Sequence, residues 1–244
     1  MRLTRCYVEL PLRKGATVDL PEPVVRHLAQ VMRMRSGDEC VLFNGDGHDY
    51  RARLLEADKR SGSADILDSE AVDNESSLRI TLLQGIARGE KMDLILQKAT
   101  ELGVVAFVPV MAERTEVKLD AARSGKRLAH WRNVIESACG QSGRARVPSL
   151  TTPAPLAVAL SSLDIPIGTR LTLDPMGEHR LTQLALSSAE LVIATGPEGG
   201  WSPHDRATLA DHGFSGLQLG PRILRTETAG LAAIAALQSR FGDM

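Results

Sequence analysis

The rhythm of hydrophobic and polar positions changes part-way along this chain. Residues 1–70 carry short alternating segments, and Arg5 to Leu10, Glu39 to Phe43, Asp49 to Leu55 and Ser63 to Leu67 read as strands. Asn44-Gly45-Asp46-Gly47 links two of them as a hairpin, because Asn-Gly pairs supply the positive φ values of tight turns. Between strands, Pro23 to Met34 sets Val24, Val25, Leu28, Val31 and Met32 at a helical period, and Gly37-Asp38 turns the chain back. Asp68 to Ser77 contains Asp68, Glu70, Asp73 and Glu75 and few apolar residues. It reads as a linker, with a domain boundary near residues 70–78.

Beyond the linker, strands and helices alternate. Leu78 to Ile86 predicts a strand and Glu90 to Leu102 a helix, whose stripe of Met92, Ile95, Leu96, Ala99 and Leu102 is stopped by Gly103. Val104 to Val110 is a buried type of strand, and Lys126 to Cys139 a helix. Strands follow at Arg170 to Leu173, Leu191 to Thr195 and Gly216 to Leu219. Helices follow at Arg180 to Leu186, at Pro203 to His212 with proline in the first turn, and at Glu227 to Phe241. The pattern predicts an α/β domain, a largely parallel sheet with helices on both faces. No internal repeat is visible.

Composition changes this picture little. With 43% hydrophobic and 24% charged residues the chain has an ordinary globular balance, which excludes disorder. No apolar run has the length of a membrane span, and Met1 to Leu10 lacks the apolar stretch of a signal peptide. Cys6, Cys40 and Cys139 are odd in number and widely spaced, which suggests neither a disulfide framework nor a thiolate cluster and favours a reducing cytosol. The histidines show no metal-ligand spacing, so no metal is expected. Net charge is −1, yet its distribution is uneven: residues 1–60 carry +2, 61–78 carry −5, 79–147 carry +5 and 148–244 carry −3. A near-neutral total can hide a basic face suited to phosphate, or the charges can simply solvate helices.

Candidate chemistry gathers where parallel α/β domains bind ligands, beyond the carboxyl ends of strands. Leu191 to Thr195 runs into Gly196-Pro197-Glu198-Gly199-Gly200, whose glycines let backbone approach a ligand closely. A second loop leaves Leu219, turns at Gly220-Pro221 and enters the last helix with Thr226 as the expected N-cap and Glu227 at the positive end of the helix dipole. Either loop alone is equally compatible with a tight turn and an ordinary cap. No nucleotide-triphosphate loop, dinucleotide fingerprint or nucleophile elbow occurs. Cys139 sits mid-helix on an apolar stripe and reads as core rather than nucleophile.

Glu101-Leu102-Gly103-Val104, Pro109-Val110, Glu136-Ser137-Ala138, Gln141-Ser142-Gly143-Arg144, Gly196 to Gly200 and Leu219 to Ala229 occur in that order. Together they resemble the RsmE family of 16S ribosomal RNA (uracil-N3)-methyltransferases in the SPOUT superfamily. His27-Leu28, Val31-Met32-Arg33 and Gly37-Asp38 resemble the PUA-like domain of that family, so the likeness covers nearly the whole chain. Ile223-Leu224-Arg225-Thr226-Glu227-Thr228-Ala229 is its most specific motif, and Trp201 stands where many relatives carry Phe. The resemblance implies a PUA-like RNA-binding domain over residues 1–72 and a SPOUT methyltransferase domain over 73–244, deeply trefoil-knotted and dimerising. It also implies S-adenosylmethionine as methyl donor, and 16S ribosomal RNA or the assembled small subunit as partner.

Carried onto this sequence, the donor would lie in the backbones after Leu173, Thr195 and Leu219, with Leu173, Leu219, Ile223 and Leu224 packing its base. Gly196, Pro197, Glu198, Gly199, Gly200, Gly220, Thr226 and Thr228 would complete its site. Uracil N3 must shed a proton to become a nucleophile; Arg222 and Arg225 are candidates to stabilise the anion, and Glu198 or Glu227 to accept the proton. Arg225 and Glu227 can equally form a structural pair, and Glu198 can brace its loop. RNA contacts are expected from Arg5, Arg33 and Arg35, and from Arg88, Lys91, Lys98, Arg144 and Arg146. The rival readings are a SPOUT enzyme acting on another base or ribose in ribosomal or transfer RNA, a non-catalytic RNA-binding protein and, least attractive, an enzyme of small metabolites.

Overall fold

The computed structural model describes residues 3–57, 61–117, 121–162 and 168–244. They form two compact units, one of Met1–Glu75 with Glu136–Val147 and one of Ser76–Ile135 with Pro148–Met244.

The first unit is built on β1 (Arg5–Tyr7), β2 (Thr17–Asp19), β3 (Glu39–Phe43), β4 (His48–Ala57) and β5 (Gly62–Ala71), in the sheet order β1-β3-β4-β5-β2. β1 runs parallel to β3 and the other pairs are antiparallel. The Asn44–Gly47 segment makes the expected hairpin between β3 and β4, with φ of 92° at Gly45 and 95° at Gly47. β5 extends to Ala71, so the first part of the polar stretch read as linker is strand paired to β4. Alternation sends Cys40 and Leu42, Ala52 and Leu54, and Ala64 and Ile66 to one face, where Val25 and Leu28 complete the core.

The helix expected over Pro23 to Met34 is shorter. α1 covers Glu22–Arg26, and a π-helical turn over His27–Val31 follows, in which Met32 N–H reaches five residues back to His27 O. Arg33 then adopts a left-handed φ of 57°, which ends the segment.

A return segment from far along the chain completes this unit. Arg144 and Glu75 form a two-pronged ion pair at 2.9 and 2.5 Å. Asn74 donates to Gly143 O, and Arg5, itself paired with Asp49 at 2.5 Å, donates to Arg144 O. Arg5 also lies 5.0 Å from the centre of the Phe43 ring. The side chains of Arg5 and Arg144 are only 5% and 6% exposed, so these two residues, expected on an RNA-facing surface, are instead interior cations of the unit. Cys6, Cys40 and Cys139 are unpaired and buried, and burial pushes their thiols up to about 11, about 12 and about 12.

The second unit has eight strands, all of whose pairings are parallel. They are β6 (Arg79–Gly85), β7 (Val104–Met111), β8 (Ser149–Leu150), β9 (Ala154–Pro155), β10 (Thr169–Leu173), β11 (His179–Arg180), β12 (Glu190–Thr195) and β13 (Ser215–Gln218). Their order is β11-β13-β10-β12-β6-β7-β8, with β9 also on β7. Helices α2 (Glu90–Glu101) and α6 (Thr226–Phe241) pack together, as do α4 (Leu156–Ser162) and α5 (Pro203–Asp211). α3 runs over Ala121–Ser142.

Leu83, Val108, Val110, Val192 and Ala194 share one core with Leu156, Leu160 and Leu209 of α4 and α5. The intervening Leu82, Phe107 and Ile193 point to the opposite face and are equally buried, so both faces are covered. The expected helix over Arg180 to Leu186 is a single 3-10 turn, Leu181–Gln183. Only Leu184 of that stretch is buried, which leaves a helix no face to pack.

The Arg144–Glu75 pair yields a prediction. Glu75→Gln removes the two-pronged carboxylate from a guanidinium that is only 6% exposed, and urea denaturation is expected to show a loss of up to about 3–5 kcal/mol.

Candidate active site at the carboxyl ends of three adjacent strands

β13, β10 and β12 are neighbours and parallel, so their carboxyl ends share one edge of the sheet. The segments that follow them, residues 174–178, 196–202 and 219–225, surround a cavity of about 460 Å³. Every residue expected at the donor site lines this cavity except Thr228, which is exposed beside it. Arg222, Arg225, Glu198 and Glu227 line it as well.

The glycine loop is shaped by contacts that other residues would block. A Cβ on Gly85, the last residue of β6, would stand 2.5 Å from Pro197 N, and one on Gly199 would stand 2.9 Å from the Arg114 side chain. Gly200 N–H closes a turn onto Pro197 O at 2.8 Å, and Gly200 itself takes φ of 65°, which favours glycine. Ser202 and Asp205 then form a reciprocal capping box that starts α5.

Thr226 does not cap its helix. The N-cap is Arg225, with no side-chain cap bond, and Thr226 Oγ1 instead donates to Gly196 O at 2.6 Å. The same hydroxyl accepts from Gln84 Nε2 at 3.1 Å, and Gln84 Nε2 also donates to Gly85 O. One buried relay thus joins the end of β6, the glycine loop and the start of α6.

Charge at the site is segregated. Glu198 accepts from Arg88 N–H at 3.0 Å and from Lys91 Nζ at 3.2 Å. Burial alone would raise its carboxyl, but the N–H groups of Arg88 and Glu198 and the Lys91 ammonium outweigh it and hold the group below the usual carboxylate range. Lys91 Nζ is also 3.8 Å from Glu227 Oε2, beyond hydrogen-bond distance. Asp174 is paired with Arg206, and its Oδ1 accepts Met176 N–H. Arg114 donates to Gly199 O at 3.1 Å. Arg222 and Arg225 are exposed and form no ion pair among the described residues. Buried polar atoms without hydrogen-bond partners include Thr195 Oγ1, Trp201 Nε1 and Glu227 Oε2, all on residues that line the cavity.

A family model described as an RNA methyltransferase domain matches residues 74–238, and one described as an RNA methyltransferase PUA domain matches residues 20–67. The chain belongs to the RNA methyltransferase family. Similar solved structures include a Ribosomal RNA small subunit methyltransferase E from Neisseria gonorrhoeae bound to S-adenosyl methionine, 43% identical with TM-score 0.93 and 99% of each chain covered. A putative methyltransferase of Legionella pneumophila in complex with the bound cofactor SAM is 34% identical, with TM-score 0.95 and 100% of each chain covered. A relative in Buchnera aphidicola, Ribosomal RNA small subunit methyltransferase E, is 30% identical over 100% of this chain and 98% of its own.

Within this methyltransferase fold, the sequence pointed to the loops and missed several residues that complete the cavity: Arg114, Asp174, Pro175, Trp201, Arg206 and Leu217. Arg114 follows β7, so the rule that marked loops after parallel strands applies to it as well. Arg206 comes from α5, where nothing local marks it. Of the cations expected to meet RNA, Lys91 lies in the cavity, while Arg88 is paired with Glu116 and Lys98 with Glu101. Arg33, Arg35 and Arg146 are exposed on the first unit.

Two outcomes follow for stability. Thr226→Val keeps the shape but orphans Gly196 O, and thermal or urea unfolding is expected to register a loss of about 1–3 kcal/mol. Glu198 titrates lower in the folded chain than the usual 4.5, so its contribution is complete above that pH and is lost as pH falls through the folded value. Glu198→Gln is therefore expected to flatten the acid limb of a stability–pH curve below 4.5 and leave the slope above it unchanged.

Proposed function

We propose that this protein transfers a methyl group from S-adenosylmethionine to N3 of a specific uridine in the 16S RNA of the small ribosomal subunit. The observation that carries this reading is the cavity at the ends of β10, β12 and β13, whose glycine loop admits a ligand against backbone and whose wall holds unpartnered polar atoms at Thr195, Trp201 and Glu227. Those features suit a nucleoside with a polar tail. The names of the relatives support the RNA and the donor.

In this reading, the residues following Leu173, Thr195 and Leu219 hold the adenosine, with Leu219, Ile223 and Leu224 against its base, and the trefoil knot runs through these loops. The donor supplies an activated methyl group on a sulfonium centre, so the chain's task is to bind, orient and manage charge. Uracil N3 becomes nucleophilic on losing its proton, and a cation at the flanking carbonyl oxygens favours that loss. Arg222 and Arg225, exposed and free of ion pairs among the described residues, take that role. Glu198 accepts from both Arg88 N–H and Lys91 at Oε1 and braces the glycine loop.

The protein works as a homodimer in the cytosol. A groove on the second unit, lined by Leu94, Gln97 and Val134 and bordered by Lys91 and Glu227, exposes 42% of Leu94, and a second copy would cover that side chain. RNA contacts on the first unit fall to Arg33, Arg35 and Arg146.

Mass mapping of 16S RNA after incubation with protein and S-adenosylmethionine tests the reading. One methylated uridine is expected, and a product on ribose, on another base or on transfer RNA only would replace it with the corresponding SPOUT activity. Arg222→Ala is expected to cut turnover on the order of a hundredfold with donor affinity nearly unchanged. Unchanged turnover removes Arg222 from the mechanism.

A further inference from the structure

Of the carboxylates that line the cavity, Asp174 and Glu198 each accept hydrogen bonds, whereas Glu227 has a buried oxygen that accepts none among the described residues. Asp174 is held by Arg206 and Met176 N–H, and Glu198 by Lys91 and backbone N–H groups. Glu227 sits in the first turn of α6 with its side chain only 16% exposed. Its Oε2 is buried without a hydrogen bond, and its one ion-pair partner among the described residues, Lys91, stands 3.8 Å away and closer to Glu198. One ammonium shared between two carboxylates leaves this wall with an uncompensated negative charge. The start of α6 offsets part of that charge, and a ligand cation reaching the wall would offset more. The surplus positive charge of the site lies elsewhere, on exposed Arg114, Arg222 and Arg225.

Resting on the reading of this cavity as a methyl-donor site, we propose that Glu227 is the residue by which the protein distinguishes the donor from its spent product. The donor carries a sulfonium, and the product a neutral thioether; the adenosine, the ammonium and the carboxylate are common to both. A carboxylate facing the sulfonium from a partly dehydrated wall attracts the donor and gains nothing from the product, because Coulomb attraction strengthens as water is excluded. Methyl transfer removes the positive charge from sulfur, so the same interaction that holds the donor lets the product go. Lys91 sets the strength of this effect, since its ammonium competes with the donor for Glu227. Glu227 is thereby a specificity residue, and Lys91 a positioning residue that acts through it.

Calorimetric titration with S-adenosylmethionine, with S-adenosylhomocysteine and with an analogue bearing an amine in place of the sulfonium tests the assignment. In Glu227→Gln, affinity for the donor and for the amine analogue is expected to fall about tenfold, and affinity for S-adenosylhomocysteine less than about threefold. Lys91→Gln is expected to move the donor-to-product ratio the opposite way. That second variant decides the matter if Glu227→Gln does not fold by thermal melting. Equal losses for donor and product in Glu227→Gln would place the carboxylate on the shared ammonium and overturn the proposal, as would no loss at all or a lower ratio in Lys91→Gln. Native protein that binds neither ligand would overturn the donor reading itself, which is a separate result.

Discussion

The end of β6, the glycine loop after β12 and the first turn of α6 come from residues 84, 196 and 226, and a single hydroxyl holds them at one point. Thr226 Oγ1 donates once, to Gly196 O, and accepts once, from Gln84 Nε2. Gln84 is 1% exposed and Thr226 7% exposed, so water is a poor substitute for either bond. The close approach of Pro197 to Gly85 depends on the same junction, because it fixes where the glycine loop leaves the sheet. With that junction in place, the following turn and the capping box of α5 are set by short-range geometry, and Glu198 is held by Arg88 N–H and Lys91.

The start of α6 also explains why the charges at the site divide by depth. Backbone N–H groups at a helix start make it electropositive, so Glu227 in the first turn is stabilised even where it is mostly buried. The same field disfavours a guanidinium, and Arg225 at the N-cap remains exposed, as does Arg222 before it. Four residues of sequence, Arg222 to Arg225, therefore supply a cationic rim, and the next two turn the chain into a negatively charged wall. A cationic ligand within and an anionic one outside are both accommodated by one short segment.

The α/β alternation was legible because each buried strand is a short apolar run and each helix carries a stripe. The site loops were legible because glycine clusters after parallel strands have few structural uses. What escaped the sequence were matters of pairing at long range. Arg5 and Arg144 read as surface cations, since a residue's charge is written in the sequence but its partner is not; Asp49 and Glu75 bury them. The Gln141-Ser142-Gly143-Arg144 motif was visible as a likeness, but its return to the first unit rests on contacts with Asn74 and Glu75, separated from it by 69 residues. Thr226 was assigned the local task that threonines before helices usually perform. The competing demand of a carbonyl thirty residues away has no local signature.

The interior use of Arg5 and Arg144 bears on how a chain of net charge −1 engages a polyanion. Cations committed to buried pairs release no counterions from RNA, and those in surface pairs, such as Arg88 with Glu116 and Lys98 with Glu101, must first give up a partner. Phosphate contact then falls to exposed cations that form no ion pair among the described residues, such as Arg13, Arg33, Arg35, Arg132 and Arg146. Contacts to phosphate carry no sequence information, so discrimination falls to the fit of a particular RNA shape and to the cavity, where Arg222 and Arg225 are exposed and form no ion pair among the described residues.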